Sequence, residues 1–132
     1  MRKRLAILTA ALALGGTTTA AFALDNPLVA HIKPIGGSGV AGTATFFKLG
    51  NTVSVGLQLA KGTNGAEAAD IRKGTCTSYA SNAHWPLVPV EGTTQDTRLG
   101  NVTLEQLVGN VLLVHKSKDD TSPVVACAPI SG

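Results

Sequence analysis

The stretch Thr52-Val-Ser-Val-Gly-Leu-Gln-Leu59 alternates between small or polar residues and apolar residues. Because successive side chains of a strand leave opposite faces, the apolar members are predicted to line one buried face. These members are Val53, Val55, Leu57 and Leu59. Residues 40–49 alternate in a similar way, and Gly50-Asn51 between the two segments is a turn pair. The two segments are therefore predicted to form a β-hairpin with one face in a core and one in water.

Similar short segments recur along the rest of the chain. Strands are predicted at 29–33, 98–102, 111–114 and 124–128, with a short charged segment at 67–73 and a proline-interrupted one at 87–90. Thr103-Leu-Glu-Gln106 matches a capping box, which predicts one helical turn that ends at Gly109. The pattern predicts an all-β, immunoglobulin-like Greek-key sandwich or barrel of seven or eight antiparallel strands.

The first 23 residues have the composition of a signal peptide. Basic residues 2–4 precede an apolar run at 5–14, and Ala21-Phe-Ala23 is a small-x-small cleavage motif. The apolar run is too short for a permanent membrane span, and the alternative is an uncleaved amphipathic anchor. We expect cleavage after Ala23, export to the periplasm or the medium, and one domain over residues 24–132.

Removal of this segment changes the net charge. The chain has eleven basic and eight acidic residues, and three of the basic ones lie at residues 2–4. The remainder therefore balances eight basic residues against eight acidic ones. The formal charge of +3 gives no argument for a nucleic-acid partner or an anionic membrane, and no stable membrane span is expected after cleavage.

Cys76 and Cys127 are the two cysteines, and both lie in the segment expected to be exported. An even count in an oxidising compartment implies one disulfide. It would close a loop of about fifty residues, which the chain-entropy estimate values at roughly 4 kcal/mol.

His115 ends a second informative stretch, the apolar run from Val111 to Val114, and charged residues follow it. A buried strand explains the run. The histidine therefore lies where the chain leaves the core. It is either a partly buried residue that hydrogen-bonds its neighbours or a member of a site.

Four blocks in the second half resemble, in the same order, the landmarks of copper/zinc superoxide dismutases. They are Cys76-Thr-Ser78, His84-Trp-Pro86, Leu113-Val-His115 and Ala126-Cys127. The hairpin start Gly42-Thr-Ala-Thr-Phe46 is also similar, and the likeness covers most of residues 40–130. The resemblance implies the dismutase β-sandwich and a disulfide between Cys76 and Cys127, in agreement with the cysteine count.

The resemblance also implies where metal ligands would lie. His115 matches a copper histidine, His84 is the nearest match to the histidine shared by copper and zinc, and Asp119 matches an acidic residue that tethers ligands. The family's His-x-His copper pair is replaced by Asp70 and Arg72. A guanidinium is a permanent cation without a lone pair, so Arg72 cannot coordinate a metal ion.

Other parts of the dismutase site are also missing from the sequence. Residues 76–110 contain one histidine, and valines occupy the place of the arginine that guides superoxide. A redox copper centre needs several imidazoles. The resemblance therefore predicts a degenerate member without dismutase activity. Ser38 lacks the strand and helix context of a hydrolase nucleophile.

Two functions follow from these observations. The first is a non-catalytic exported module that binds an unknown ligand or itself, through the loops after Cys76 and around Trp85. The alternative is a protein that binds copper or zinc weakly and without turnover at His84 and His115, helped by Asp70 or Glu67, or a residual dismutase that uses the same two histidines.

The sequence also predicts what fills the former copper pocket. Positions 70 and 72 are two apart on a strand, so their side chains leave the same face. We expect Arg72 to pair with Asp70 or Glu67 and to close the pocket beside His115.

Overall fold

The computed structural model describes residue 24 and residues 26–61, 66–119 and 122–132. This part of the chain folds as eight antiparallel strands and one short helix, which confirms the predicted all-β class and the strand count. The elements are β1 (Leu28–Pro34), β2 (Gly42–Leu49), β3 (Thr52–Leu59), β4 (Ala69–Lys73), β5 (Trp85–Pro86), β6 (Thr94–Gly100), α1 (Leu104–Leu107), β7 (Asn110–His115) and β8 (Val124–Pro129). The predicted signal peptide, residues 1–23, lies outside the described residues.

The strands form a nearly closed barrel in the order β5-β4-β7-β8-β1-β2-β3-β6. The order divides into two halves, β1-β2-β3-β6 and β5-β4-β7-β8, which join where Lys33 of β1 pairs with Cys127 of β8. At the opposite seam, the backbone N–H of Val88 donates a 2.9 Å hydrogen bond to Thr97 Oγ1 in β6. The connections β3–β4, β5–β6 and β6–β7 each cross from one half to the other.

The β2–β3 hairpin forms as the alternation predicts. Its register runs from Gly42 opposite Leu59 to Leu49 opposite Thr52. The four apolar residues of β3 are buried, and they pack with Phe46 of β2 and Leu28 of β1 in one central core. The capping box is also present, because Thr103 accepts from the Gln106 backbone while the Gln106 side chain accepts from Thr103.

Strand β7 is buried on both faces, which explains why its sequence is a continuous apolar run. Leu112 and Val114 belong to the central core. Val111 and Leu113 point the other way and pack with Cys127 in a second, smaller cluster outside the sheet. The β5-β4-β7-β8 half therefore carries a second buried layer, and this layer holds the candidate site.

Two strands differ from their predicted positions. Strand β6 runs over Thr94–Gly100 rather than 98–102, and Asn101 ends it with a left-handed φ of 52°. The polar start of β6 gave no apolar alternation to detect, although Gln95 is buried opposite Leu57. Strand β5 covers only Trp85–Pro86 at the end of the strand order, where a proline costs no ladder hydrogen bond.

Candidate functional site

Asp70, Arg72 and His115 form a buried polar cluster on the outer face of the β5-β4-β7-β8 half. Only 1% of Asp70, 5% of Arg72 and 1% of His115 is exposed. In β4, Asp70 lies opposite Leu113 and Arg72 opposite Val111, so all four side chains share the outer face of the sheet. Ile71 between them points into the central core. The strand alternation thus separates the charged residues from the apolar core.

His115 reaches the same face from the end of β7. The strand pairing with β8 shifts register between Val114 and His115, which marks an irregularity where the strand leaves the sheet. The His115 backbone N–H donates to the Ala68 carbonyl at 2.8 Å, so the histidine stays anchored to the start of β4. The imidazole is held rigidly over Asp70 as a result.

The cluster is joined by short side-chain contacts. Arg72 Nε donates to Asp70 Oδ1 at 2.8 Å, and Arg72 Nη2 donates to Oδ2 at 3.0 Å. His115 Nε2 lies 2.9 Å from the same Oδ2 and 3.4 Å from Arg72 Nη2. The two-pronged Arg72–Asp70 contact is the geometry in which a guanidinium binds a carboxylate best. The expected pairing of Arg72 with Asp70 beside His115 is present.

The disulfide loop covers the cluster from outside. Arg72 Nη1 donates to the carbonyls of Ala80 and Ser81, at 3.3 and 2.9 Å. The Tyr79 ring lies 6.0 Å from the guanidinium carbon. The Cys76–Cys127 bond, which is confirmed, ties this loop to β8 with a Cα–Cα distance of 6.0 Å. Arg72 therefore also holds the loop down, which the sequence could not indicate because its partners are backbone carbonyls.

The hydrogen-bond partners of His115 bear on its protonation. Nδ1 lies 3.2 Å from the Ser122 carbonyl, and Nε2 faces the Asp70 carboxylate, so both partner atoms are acceptors. Only the doubly protonated imidazolium donates to both at once. A neutral ring with its hydrogen on Nδ1 keeps the Ser122 contact and can accept from Arg72 Nη2 at 3.4 Å, but its Nε2 lone pair then lies 2.9 Å from Asp70 Oδ2 without a hydrogen between them. In either state, both ring nitrogens are engaged by the protein.

This arrangement limits the chemistry available at the cluster. A metal ion at His115 Nε2 would have to displace the Arg72 guanidinium, a fixed positive charge 3.4 Å away. An ion at Asp70 would compete with Arg72 for both carboxylate oxygens. None of the contacts given above for Asp70, Arg72 and His115 involves a serine, threonine or cysteine side chain. The geometry stabilises buried charge, and it does not fit a resident copper or zinc ion.

The other residues implied by the resemblance take no part in the side-chain contacts given above, although the His84 N–H donates to the carbonyl of Ile71, between Asp70 and Arg72, at 2.9 Å. His84 is exposed, and its ring packs edge-on against Trp85 with the centroids 4.1 Å apart. Asp119 is exposed in the loop after β7, where its carbonyl accepts from the Ser122 N–H. Over the residues that the structure describes, no group of three or more histidine, cysteine, aspartate or glutamate side chains could hold a metal ion.

Glu67, the other predicted partner of Arg72, lies elsewhere. Its backbone pairs with Val90, and its side chain lines a cleft at one end of the barrel. Trp85 is partly buried and packs against the central core. The loop after Cys76 is held by the contacts of Arg72 with the Ala80 and Ser81 carbonyls and by the disulfide.

Comparison with known proteins assigns the chain to no family. No protein-family model, no curated protein and no solved structure matches it. The dismutase resemblance of the sequence therefore stays a prediction, and function has to be argued from the geometry of the cluster. In the part of the chain that the structure describes, no helix has the length and apolar character needed to cross a membrane.

Proposed function

We propose that this chain is an exported, non-catalytic relative of the copper/zinc superoxide dismutases that acts as a binding or structural module outside the cytoplasm. One observation carries the proposal. Asp70 and Arg72, at the positions that match the family's His-x-His pair, form a buried ion pair against His115. A charged protein group thus occupies the space that the resemblance assigns to copper.

The energetics of burial support this reading. An isolated buried charge is strongly unfavourable, so a cavity left by a lost cation needs another way to compensate Asp70. Arg72 supplies a permanent positive charge and saturates its remaining donors on the carbonyls of Ala80 and Ser81. The site is therefore stable without an ion, and the disulfide loop stays closed over it.

The alternative function, weak binding of copper or zinc at His84 and His115 or residual dismutase activity there, requires a different arrangement. His84 is exposed beside Trp85, whereas His115 is buried with both ring nitrogens engaged. Binding an ion between them would mean moving Arg72 away from Asp70. The geometry favours the module without metal.

Metal content tests the proposal. The full chain is produced with its leader in an exporting bacterium, and the exported protein is equilibrated with copper and zinc and dialysed. Intact mass should show cleavage after Ala23. Mass spectrometry of the metals should find no stoichiometric copper or zinc, and superoxide should decay no faster than in buffer.

The matched control is histidine replacement at two sites. His31 is exposed on β1, away from the cluster, so His31→Ala should leave metal content unchanged. One ion per chain that is lost in His115→Ala and kept in His31→Ala would establish the metal-binding alternative instead. Superoxide decay that a chelator abolishes would show residual dismutase activity.

A further inference from the structure

A cleft of about 650 Å³ opens at one end of the barrel, apart from the polar cluster. Its walls come from the loop between β1 and β2, the end of β3, the segment before β4, and the segments that flank the 116–123 loop. This volume lies in the range of small-molecule sites. None of the cluster residues Asp70, Arg72 and His115 lines the cleft.

Backbone hydrogen bonds fix the walls of the cleft. The Ile35 N–H donates to the Val125 carbonyl at 2.9 Å, and the Ser38 hydroxyl donates to the same carbonyl. Lys116 N–H donates to the Pro123 carbonyl at 3.0 Å, and Glu67 exchanges two backbone hydrogen bonds with Val90. The cleft is therefore held open by the sheet and its loops before any ligand arrives.

The lining combines aliphatic side chains with charges of both signs. Val40 and Val125, both partly buried against the central core, and the exposed Ile35 supply an aliphatic wall. Lys61 and Lys116 are exposed cations at the cleft, and Glu67 is its carboxylate. None of the described residues that line the cleft is aromatic. An aliphatic ligand fits this wall better than a flat ring that needs stacking partners.

Glu67 is the carboxylate among the described residues that line the cleft. Its Oε2 is buried and has no hydrogen-bond partner. Burial also raises the pKa of this carboxyl above its ordinary value of 4.5. Oε2 is closed to a ligand, so a positively charged N–H donor would meet the part of the Glu67 side chain that stays accessible, since the residue is only partly buried.

We propose that this cleft binds a small aliphatic zwitterion of the branched-chain amino-acid class. The ligand's ammonium donates to Glu67, its carboxylate faces Lys61 and Lys116, and its side chain lies on the Ile35, Val40 and Val125 wall. Charge complementarity decides the class, because the cleft presents one partly buried carboxylate and two cations around an aliphatic surface. This proposal does not depend on whether the chain binds copper or zinc. A contrary result in the metal-content test therefore leaves the leucine-binding prediction unaffected, and the reverse also holds.

Three probes of matched shape test the proposal on the ¹⁵N-labelled exported protein by amide chemical-shift titration. L-Leucine carries both charges, 4-methylpentanoate lacks the ammonium, and 3-methylbutylamine lacks the carboxylate. Leucine should shift the amides of residues 35–40, 59–61, 67–68 and 123–125. Each truncated probe should bind more weakly than leucine.

Variants then assign the contacts. Glu67→Gln should weaken leucine binding about tenfold, because it removes a charged acceptor from a partly buried site. Lys116→Gln should weaken it about threefold, since exposed ion pairs contribute less. Glu91→Gln and Lys48→Gln, both exposed and outside the cleft, should leave the titration unchanged.

Three results would overturn the proposal. The first is the absence of shifts at the cleft amides with millimolar leucine. The second is 4-methylpentanoate binding as tightly as leucine, which would remove the role of Glu67. The third is unchanged leucine affinity in Glu67→Gln while its amide spectrum shows a folded protein.

Discussion

Arg72 covers both carboxylate oxygens of Asp70, two residues earlier on the same strand, with contacts of 2.8 and 3.0 Å. Side chains at this spacing share one face of β4, and here the face is buried beneath the disulfide loop. Coulomb attraction in such surroundings is much stronger than at the surface, but each charge has also lost its hydration. Removal of one partner should consequently destabilise the protein more than replacement of both partners by apolar residues.

Removal of Arg72 alone should be strongly destabilising. Arg72→Met leaves Asp70 buried without its principal cation and frees the carbonyls of Ala80 and Ser81. We expect the free energy of unfolding to fall by about 3–5 kcal/mol. Urea unfolding followed by the fluorescence of the single tryptophan, Trp85, measures the change.

Two controls separate the ion pair from general effects. Arg98→Met changes an exposed arginine on β6 and should alter stability by no more than about 0.5 kcal/mol. Asp70→Leu combined with Arg72→Met removes both charges and should recover much of the stability lost in Arg72→Met. Equal losses in Arg72→Met and Arg98→Met would contradict the buried-pair account.

Glu67 should make stability depend on pH. Burial raises the pKa of its carboxyl in the folded protein above the ordinary value of 4.5, so folding favours the protonated form. Its contribution is fully present below the unfolded pKa and is lost as the pH rises through the folded pKa. Glu67→Gln lacks this loss, so its stability relative to the wild type should increase as the pH rises above about 4.5.

Thermal unfolding across that pH range measures the Glu67 effect. Glu91→Gln is the matched control, because Glu91 is 75% exposed and contacts only Lys118 at 4.0 Å among the salt bridges of the described residues. A stability difference for Glu67→Gln that stays constant with pH, or that grows toward acid, would show that Glu67 is not the source.

The disulfide should contribute a large share of the stability of this small domain. Cys76 and Cys127 are 51 residues apart, and the chain-entropy estimate for such a loop is about 4 kcal/mol. Cys76→Ala with Cys127→Ala should lower the free energy of unfolding by about that amount. The same variant should expose Arg72 to solvent, which hydrogen exchange at the amides of residues 78–82 would detect. Unchanged exchange there would mean that Arg72 alone holds the loop.

Much of the fold was readable from the sequence because its strands face one core. The alternation in β3 predicted both the hairpin and its buried residues, and the apolar run before His115 predicted β7. Strand β6 was misplaced because its Thr-Gln-Asp-Thr start has no apolar alternation, and its position is set by pairing with β3. Long-range pairing of this kind leaves little trace in a local pattern.

The site was predictable only in part. The shared face of residues 70 and 72 follows from strand geometry, and it correctly predicted the Asp70–Arg72 pair. The sequence does not decide whether Arg72 pairs with Asp70 or with Glu67, because Glu67 lies before the start of β4 and the strand alternation does not fix its side chain. The carbonyls of Ala80, Ser81 and Ser122 complete the cluster, and backbone acceptors carry no sequence signature.

If the Asp70–Arg72 pair replaces metal ligands beside His115, as we propose, then restoring histidines at positions 70 and 72 should create a metal site. Asp70→His with Arg72→His removes the guanidinium and provides two imidazoles on the same face as His115. A set of several imidazoles suits copper. Arg72→His alone serves as a second variant if the double one does not fold, as judged by circular dichroism.

Copper bound per chain, with the nitrogen couplings in its electron paramagnetic resonance spectrum, is the most direct measurement. We expect no stoichiometric copper on the wild type. We expect one copper ion, with nitrogen ligands, per folded chain of the Asp70→His, Arg72→His variant. Stoichiometric copper on the wild type, or a folded double variant that binds none, would contradict it.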